Sequence, residues 1–216
     1  MKKFFFFALL FNMLFSQHKL PFASQNNTIE LAITNSATID AGNVTVTVSN
    51  APTWIRFNNP RQAEGGHVAS EIQNLKSGES GTSRFTFSVD KSAPVGKEHA
   101  LQFVISSLSG EEWKKEISIQ VAAPEQFELY QNYPNPFNPS TTISFLLPTA
   151  GDVSLKVFDV VGREVVTLFD EVKVAGFHQQ VWDATNVATG VYIYQLSYYN
   201  QKGEQEYHRK KLLFLK

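Results

Sequence analysis

The chain predicts an all-β protein: two Ig-like β-sandwich domains in tandem after a signal peptide. Three observations carry that expectation. Period-two alternation of apolar and polar residues recurs from about residue 27 onward, and a helical period does not. Clusters of Gly, Pro, Asn and Asp interrupt it at short intervals, as turns between short strands require. The 216 residues include 18 Phe and no Cys, so buried β surface rather than disulfides must hold the fold.

The N-terminus has the form of a secretory leader. Met1, Lys2 and Lys3 supply a cationic start, and residues 4–15 are an apolar run. That run is shorter than the ~20 residues a spanning helix needs, and no later segment is long and apolar enough either. Residues 1–24 are therefore read as the signal peptide, with the cut placed after Ser16 or near Ala23 and Ser24.

The first sandwich is expected over residues 26–123. Ile29, Leu31 and Ile33 share one face of a strand, as do Val44, Val46 and Val48. Phe85, Phe87 and Val89 repeat the pattern, followed by Leu101, Phe103 and Ile105, and then by Ile117, Ile119 and Val121. Such strands bury one face and wet the other. Turns fall at Asp40 to Asn43, Asn50 to Pro52, Lys76 to Ser80, Ala93 to Gly96, and Ser109-Gly110.

Residues 124–139 read as a linker that ends in Tyr133-Pro134-Asn135-Pro136-Phe137-Asn138-Pro139. Its prolines fix φ, remove backbone donors and bias the preceding residues toward extended geometry. The second domain follows with the same grammar. Ile143, Phe145 and Leu147 share a face, and so do Val153, Leu155 and Val157. Asp159-Val160-Val161-Gly162 has the signature of a type I turn suited to a hairpin with a Gly bulge. Residues 163–169, 177–182, 191–199 and a last strand ending at Lys216 complete about seven short strands.

These motifs in this order resemble the C-terminal sorting domain of proteins exported by the Por (type IX) secretion system of Bacteroidetes, type A, over residues 127–216. The resemblance rests on the Tyr133 to Pro139 segment, the Gly162-Arg163 turn, Gly176, Gly190 with Tyr192, and the terminal Lys210 to Lys216 stretch with its Lys211. It implies that these residues are an address. The chain would cross the inner membrane, fold in the periplasm and be recognised through residues 127–216. It would then be carried to the cell surface or the medium by the type IX translocon, with sortase-like machinery cutting near the linker. Upstream, Pro52-Thr53-Trp54, Leu75 to Glu79 and Ala93-Pro94-Val95-Gly96 resemble Ig-like modules appended to bacterial glycosidases.

Each singled-out residue also has a plainer reading. Gly162, Gly176 and Gly190 serve equally as turn glycines, and Arg163 and the terminal lysines as charges that discourage strand addition at an edge. Tyr192 and Tyr194, at i and i+2, read as packing rather than as a sugar-stacking stripe.

Chemistry is sparse. The five His stand at 18, 67, 99, 178 and 208, without metal-ligand spacing. His67, with Glu64 and Glu71 nearby, reads as part of a solvated loop. Asp40, Asp90, Asp152 and Asp183 sit in or near turns, where Asp caps backbone donors. No nucleophile elbow or phosphate loop is present. No catalytic, cofactor-binding or metal residue is named, and no cofactor is expected. A net charge of -1 argues against a nucleic-acid partner. The chain thus reads as a non-enzymatic secreted or surface protein. The alternatives are a glycan- or protein-binding adhesion module, motivated by Trp54, Phe57 and Trp113, then a small hydrolase, or the tail of a larger secreted enzyme.

Overall fold

The computed structural model describes residues 18–58, 68–200 and 202–216. The apolar run of the leader, Glu64 and His67 lie outside the described residues. The chain divides into two compact units, residues 1–122 and 123–216. All regular structure among the described residues is β.

The first unit contains β1 (His18–Leu20), β2 (Asn27–Thr34), β3 (Gly42–Asn50), β4 (Ile55–Phe57), β5 (Ala69–Leu75), β6 (Ser80–Val89), β7 (Glu98–Ser107) and β8 (Glu112–Val121). They form a five-stranded sheet, β1-β8-β7-β3-β5, and a three-stranded sheet, β2-β6-β4. The alternating residues read from the sequence are the ones that face inward. Leu31, Ile33, Val44, Val46, Phe85, Phe87, Leu101, Phe103, Ile105 and Ile119 are all buried. Phe85 of one sheet meets Phe103 of the other with ring centroids 5.3 Å apart, which ties the two layers together.

One feature departs from expectation. β1 pairs in parallel with β8, His18 opposite Ile119 and Leu20 opposite Val121, and Leu20 lies in the core. The Ser24 carbonyl accepts the Val89 N–H at 2.8 Å. Residues 18–24 are therefore part of the folded unit, and a cut near Ala23 or Ser24 would strip a core strand from it. Among the described residues the first unit begins at His18 rather than at residue 26. The reason it was hidden is local: three residues followed by Pro21 are too few to show a period. Trp54 is buried, its ring edge-on to His99 at 5.3 Å, as a large apolar anchor of the core should be.

The second unit contains β9 (Glu128–Leu129), β10 (Ser140–Leu147), β11 (Gly151–Phe158), β12 (Glu164–Lys173), β13 (Gly176–Asp183), β14 (Gly190–Asn200) and β15 (Gln205–Phe214). A three-stranded sheet, β13-β10-β9, packs on a four-stranded sheet, β12-β11-β14-β15. Phe145 of the first meets Phe169 of the second at 5.8 Å, and Trp182 meets Tyr192 edge-on at 5.8 Å. The inward rows are those the alternation predicts: Ile143, Phe145 and Leu147, then Val153, Leu155 and Val157.

Gly151, at the start of β11, is required by space. It pairs with Lys173 on one side and Asn200 on the other. A Cβ there would press on the Tyr199 carbonyl oxygen and lie 2.8 Å from the Tyr198 ring. Neither neighbour can give way, since one is backbone and the other is a buried ring. Gly151→Ala should therefore lower the unfolding free energy by about 1–3 kcal/mol, the usual cost of overpacking. Urea unfolding monitored by Trp182 fluorescence checks this.

Candidate functional site

The Tyr133 to Pro139 segment is not a free linker: of residues 124–139, those from Phe127 onward are part of the folded second unit. Phe127 is buried against Tyr198 at 5.1 Å and His208 at 4.7 Å, so only residues 123–126 precede the fold of the second unit. The peptide bonds preceding Pro134, Pro136 and Pro139 are cis. The segment adds no strand to the sheets but lies along the free edge of β15. The Phe137 N–H donates to the Leu213 carbonyl at 3.0 Å, and the Leu215 N–H donates to the Phe137 carbonyl at 3.1 Å. Asn135 completes the pairing with its side chain. Its Oδ1 accepts the Leu213 N–H at 2.9 Å and its Nδ2 donates to the Lys211 carbonyl at 3.4 Å, where a neighbouring strand would offer a peptide group. Gln131 Nε2 donates to the same Lys211 carbonyl at 2.7 Å. An edge strand normally presents these groups to solvent; here they are answered by a segment that cannot itself be a strand.

The Phe137 ring fixes the segment. It is 3% exposed, stacked on Phe214 at 5.1 Å and tilted against Trp182 at 5.6 Å. Burial of such a ring contributes about 1.5–3 kcal/mol. Tyr133, by contrast, is 82% exposed. Pro134, Asn135, Pro136, Asn138 and Pro139 are exposed too. The segment thus has one buried anchor and an outward surface.

Asn132 and Tyr194 organise the layer beneath. The buried Tyr194 hydroxyl donates to the Tyr130 carbonyl at 2.8 Å and accepts the Asn132 N–H at 2.9 Å. Asn132 Nδ2 donates to the Pro134 carbonyl at 3.0 Å and to Thr141 Oγ1 at 2.9 Å, and Thr141 Oγ1 donates back to the Pro134 carbonyl at 2.8 Å. Two more tyrosines on the same face of β14 do similar work. The Tyr192 hydroxyl donates to the Ala188 carbonyl at 2.6 Å, and the Tyr198 hydroxyl to the Thr149 carbonyl at 3.1 Å. Tyr192 and Tyr194 are accordingly buried, as packing demands. Burial pushes the Tyr194 phenol up to about 12, against the opposing hydrogen bond from Asn132. Burial also raises Tyr130 to about 12, helped by hydrogen bonding and charge from Glu128.

Gly162 and Arg163 form the expected bulged hairpin turn. Gly162 has φ of 86°, and its N–H donates to the Asp159 carbonyl at 3.0 Å. Asp159 Oδ1 accepts the N–H groups of Val161 at 3.0 Å and Arg163 at 2.9 Å, and Oδ2 accepts Arg163 Nε at 2.7 Å. Hydrogen bonding from the Arg163 backbone, then from its side chain, holds the Asp159 carboxyl below its usual range. Gly176 opens β13 with φ of 128°. Gly190 opens β14 opposite Phe214 without a positive φ, so it starts a strand rather than making a turn. Lys211 and Lys216 are exposed on and beyond β15.

The structure thus joins Tyr133 to Pro139 with Lys211 and the end of β15, while Gly162, Arg163 and Gly176 stand in separate turns. Asn132, Gln131 and Thr141 were missed. Only the adjacency of Gln131 and Asn132 to the proline run could have hinted at them. Among the described residues no group of three metal-capable side chains gathers, and Asp40, Asp90 and Asp183 accept turn N–H groups instead.

What these parts define is a folded β-sandwich whose exposed motif is built on its own last strand. Residues 131–211 match the model of the family described as Secretion system C-terminal sorting domain. The second domain therefore belongs to the C-terminal sorting domains of the Por (type IX) secretion system, and it implies export of the chain by that route across the outer membrane, with the secretion machinery as partner. No curated protein matches the chain. Among solved structures, dimeric latent PorU from Porphyromonas gingivalis is 14% identical, with a TM-score of 0.36 over 93% of this chain and 19% of that one. The CupB2 chaperone of Pseudomonas aeruginosa is 12% identical, with a TM-score of 0.27 over 90% of this chain and 96% of that one. A tetra-tandem repeat from the extending region of a large adhesion protein is 13% identical, with a TM-score of 0.34 over 86% and 45%. The chain spans less than a fifth of the PorU chain.

Tyr194→Phe removes one hydroxyl and leaves the Tyr130 carbonyl and the Asn132 N–H unanswered, so it should cost about 1–3 kcal/mol. The alkaline limb of stability should change with it. Unfolded tyrosine titrates near 10. Below that pH both states keep the proton and the contribution is whole. Between about 10 and 12 the unfolded chain loses it first, so stability falls as pH rises. With Tyr194 and Tyr130 both raised, unfolding should release about two protons in this window, and about one in Tyr194→Phe. Urea titrations from pH 9 to pH 12 measure the slope.

Proposed function

We propose that the protein is a non-enzymatic cargo of type IX secretion, in which residues 127–216 are the address and residues 18–122 the passenger. The observation that carries this reading is the sorting-domain match over residues 131–211, within a unit that folds around its own core. The leader would deliver the chain to the periplasm, where both units fold. After translocation, sortase-like machinery would cut the connection between the units. Glu125 and Gln126 are its exposed residues, lying between buried Pro124 and buried Phe127. The passenger would then be released to the medium or attached to the cell surface.

The passenger's role is proposed to be structural or one of binding. A glycan or protein ligand remains the second reading, but Trp54 does not favour it, because a ring buried in the core offers no stacking platform. Phe57 and Trp113, partly buried against the same core, are the aromatics left to support it.

Deleting residues 127–216 in a host with a type IX system should leave the protein in the periplasm, and unchanged appearance outside the cell would sink the proposal. Mass spectrometry of the exported protein supplies a second check. Its N-terminus should lie at or before His18, since a later start would remove β1. Its C-terminus should fall near Gln126.

A further inference from the structure

The outward face of the β12-β11-β14-β15 sheet is polar along most of its length. The pairing registers place Ser154 beside Ser197 and Tyr207, and Lys156 beside Gln195 and Arg209. Toward the Gly162 hairpin its character changes. Phe158 stands beside Ile193 and Lys211, and Val191 beside Leu213. Val160 in the turn is 69% exposed, and Val191 and Leu215 are each 44% exposed. A contiguous apolar area on an outward sheet face is unusual for a surface that meets only water.

This end of the face is concave. Phe158, Asp159, Val160, Gly162, Ile193, Gln195 and Arg209 surround a depression of about 210 Å³. A side chain at position 162 would meet nothing within 4 Å, so the space beside the turn is open. With the lining carboxylate Asp159 paired to Arg163, the charge left without an ion pair is positive. Arg209 is held over it by its Nε bond to Gln195 Oε1 at 2.5 Å. Lys211 is exposed beside Ile193 and makes no ion pair with any described carboxylate. The nearby acids are already committed, Asp159 to Arg163 at 2.7 Å and Glu164 to Lys156 at 3.0 Å.

We propose that this apolar depression, lined by Arg209 and flanked by Lys211 beside Ile193, is the surface on which the sorting domain docks to the export machinery, and that its occupant is an acidic protein segment inserting an apolar side chain. The charge complementarity selects the occupant: two cationic side chains that make no ion pair among the described residues, at an apolar hollow, are satisfied by carboxylates flanking a hydrophobe. The inference rests on the sorting reading of residues 127–216 and adds where on that domain recognition takes place.

The full chain, expressed in a host with a type IX system, tests it. Ile193→Glu, Val160→Asp and Lys211→Glu should each reduce extracellular protein by about tenfold or more, the size expected for losing one buried apolar contact or one charge pair. Ser197→Glu, at the polar end of the same face, should be exported normally. Melting temperatures of the purified variants confirm that each is folded, and Val160→Asp, in an exposed turn, serves if Ile193→Glu is not. Normal export of Val160→Asp and Lys211→Glu, while deletion of residues 127–216 still blocks it, overturns this surface and leaves the sorting reading intact. Export equally lost with Ser197→Glu also overturns it, because recognition is then not confined to this end. Normal export of the deletion itself refutes the sorting reading instead.

Discussion

One hydroxyl group organises the second domain. Tyr194 lies in the middle of β14, buried, and its oxygen is both donor to Tyr130 and acceptor from Asn132. A phenol in an apolar core is tolerable only if its oxygen is hydrogen-bonded, and here the partners are the backbone that leads into the proline segment. The strand therefore dictates where that segment enters. Phe137 dictates where it leaves, by filling the space between Trp182 and Phe214. Tyr192 and Tyr198 fasten two further connections from the same face of the same strand. The turns that frame the sandwich are thus positioned from its interior, and a surface motif acquires the rigidity of the core.

Much of the fold was legible because amphipathic strands write themselves into sequence with a period of two. The rows at Ile29, Val44, Phe85, Leu101, Ile117, Ile143 and Val153 could be read directly, and each faces inward. The strands that escaped notice lack that pattern. β1 has three residues and β4 has three, and β5 carries Ser70, Glu71, Gln73 and Asn74 and buries little besides Leu75. Their places are set by pairing with β8, β6 and β3, which is information held elsewhere in the chain.

The site was legible in its location and illegible in its construction. Three prolines in six residues announce a segment that is neither helix nor inner strand, and a spacer is the natural reading. What makes the segment part of the domain is a side-chain amide acting as a peptide group and a ring in a distant core. Neither leaves a local period. The Gly162 turn lay at the other extreme, since Asp at its first position and Gly at its fourth specify the hairpin within a few residues, and it formed as expected.

The bonds between the proline segment and β15 join residues 76 to 80 positions apart. Contacts of that span close only after the intervening strands have assembled, because the entropy of so large a loop is recovered only when the native pairings are in place. The joined surface of Asn135, Phe137 and β15 therefore has no counterpart in an unfolded or half-folded chain. A surface joined this way takes its final form only on molecules that have finished folding, so its presence reports that the whole domain is assembled.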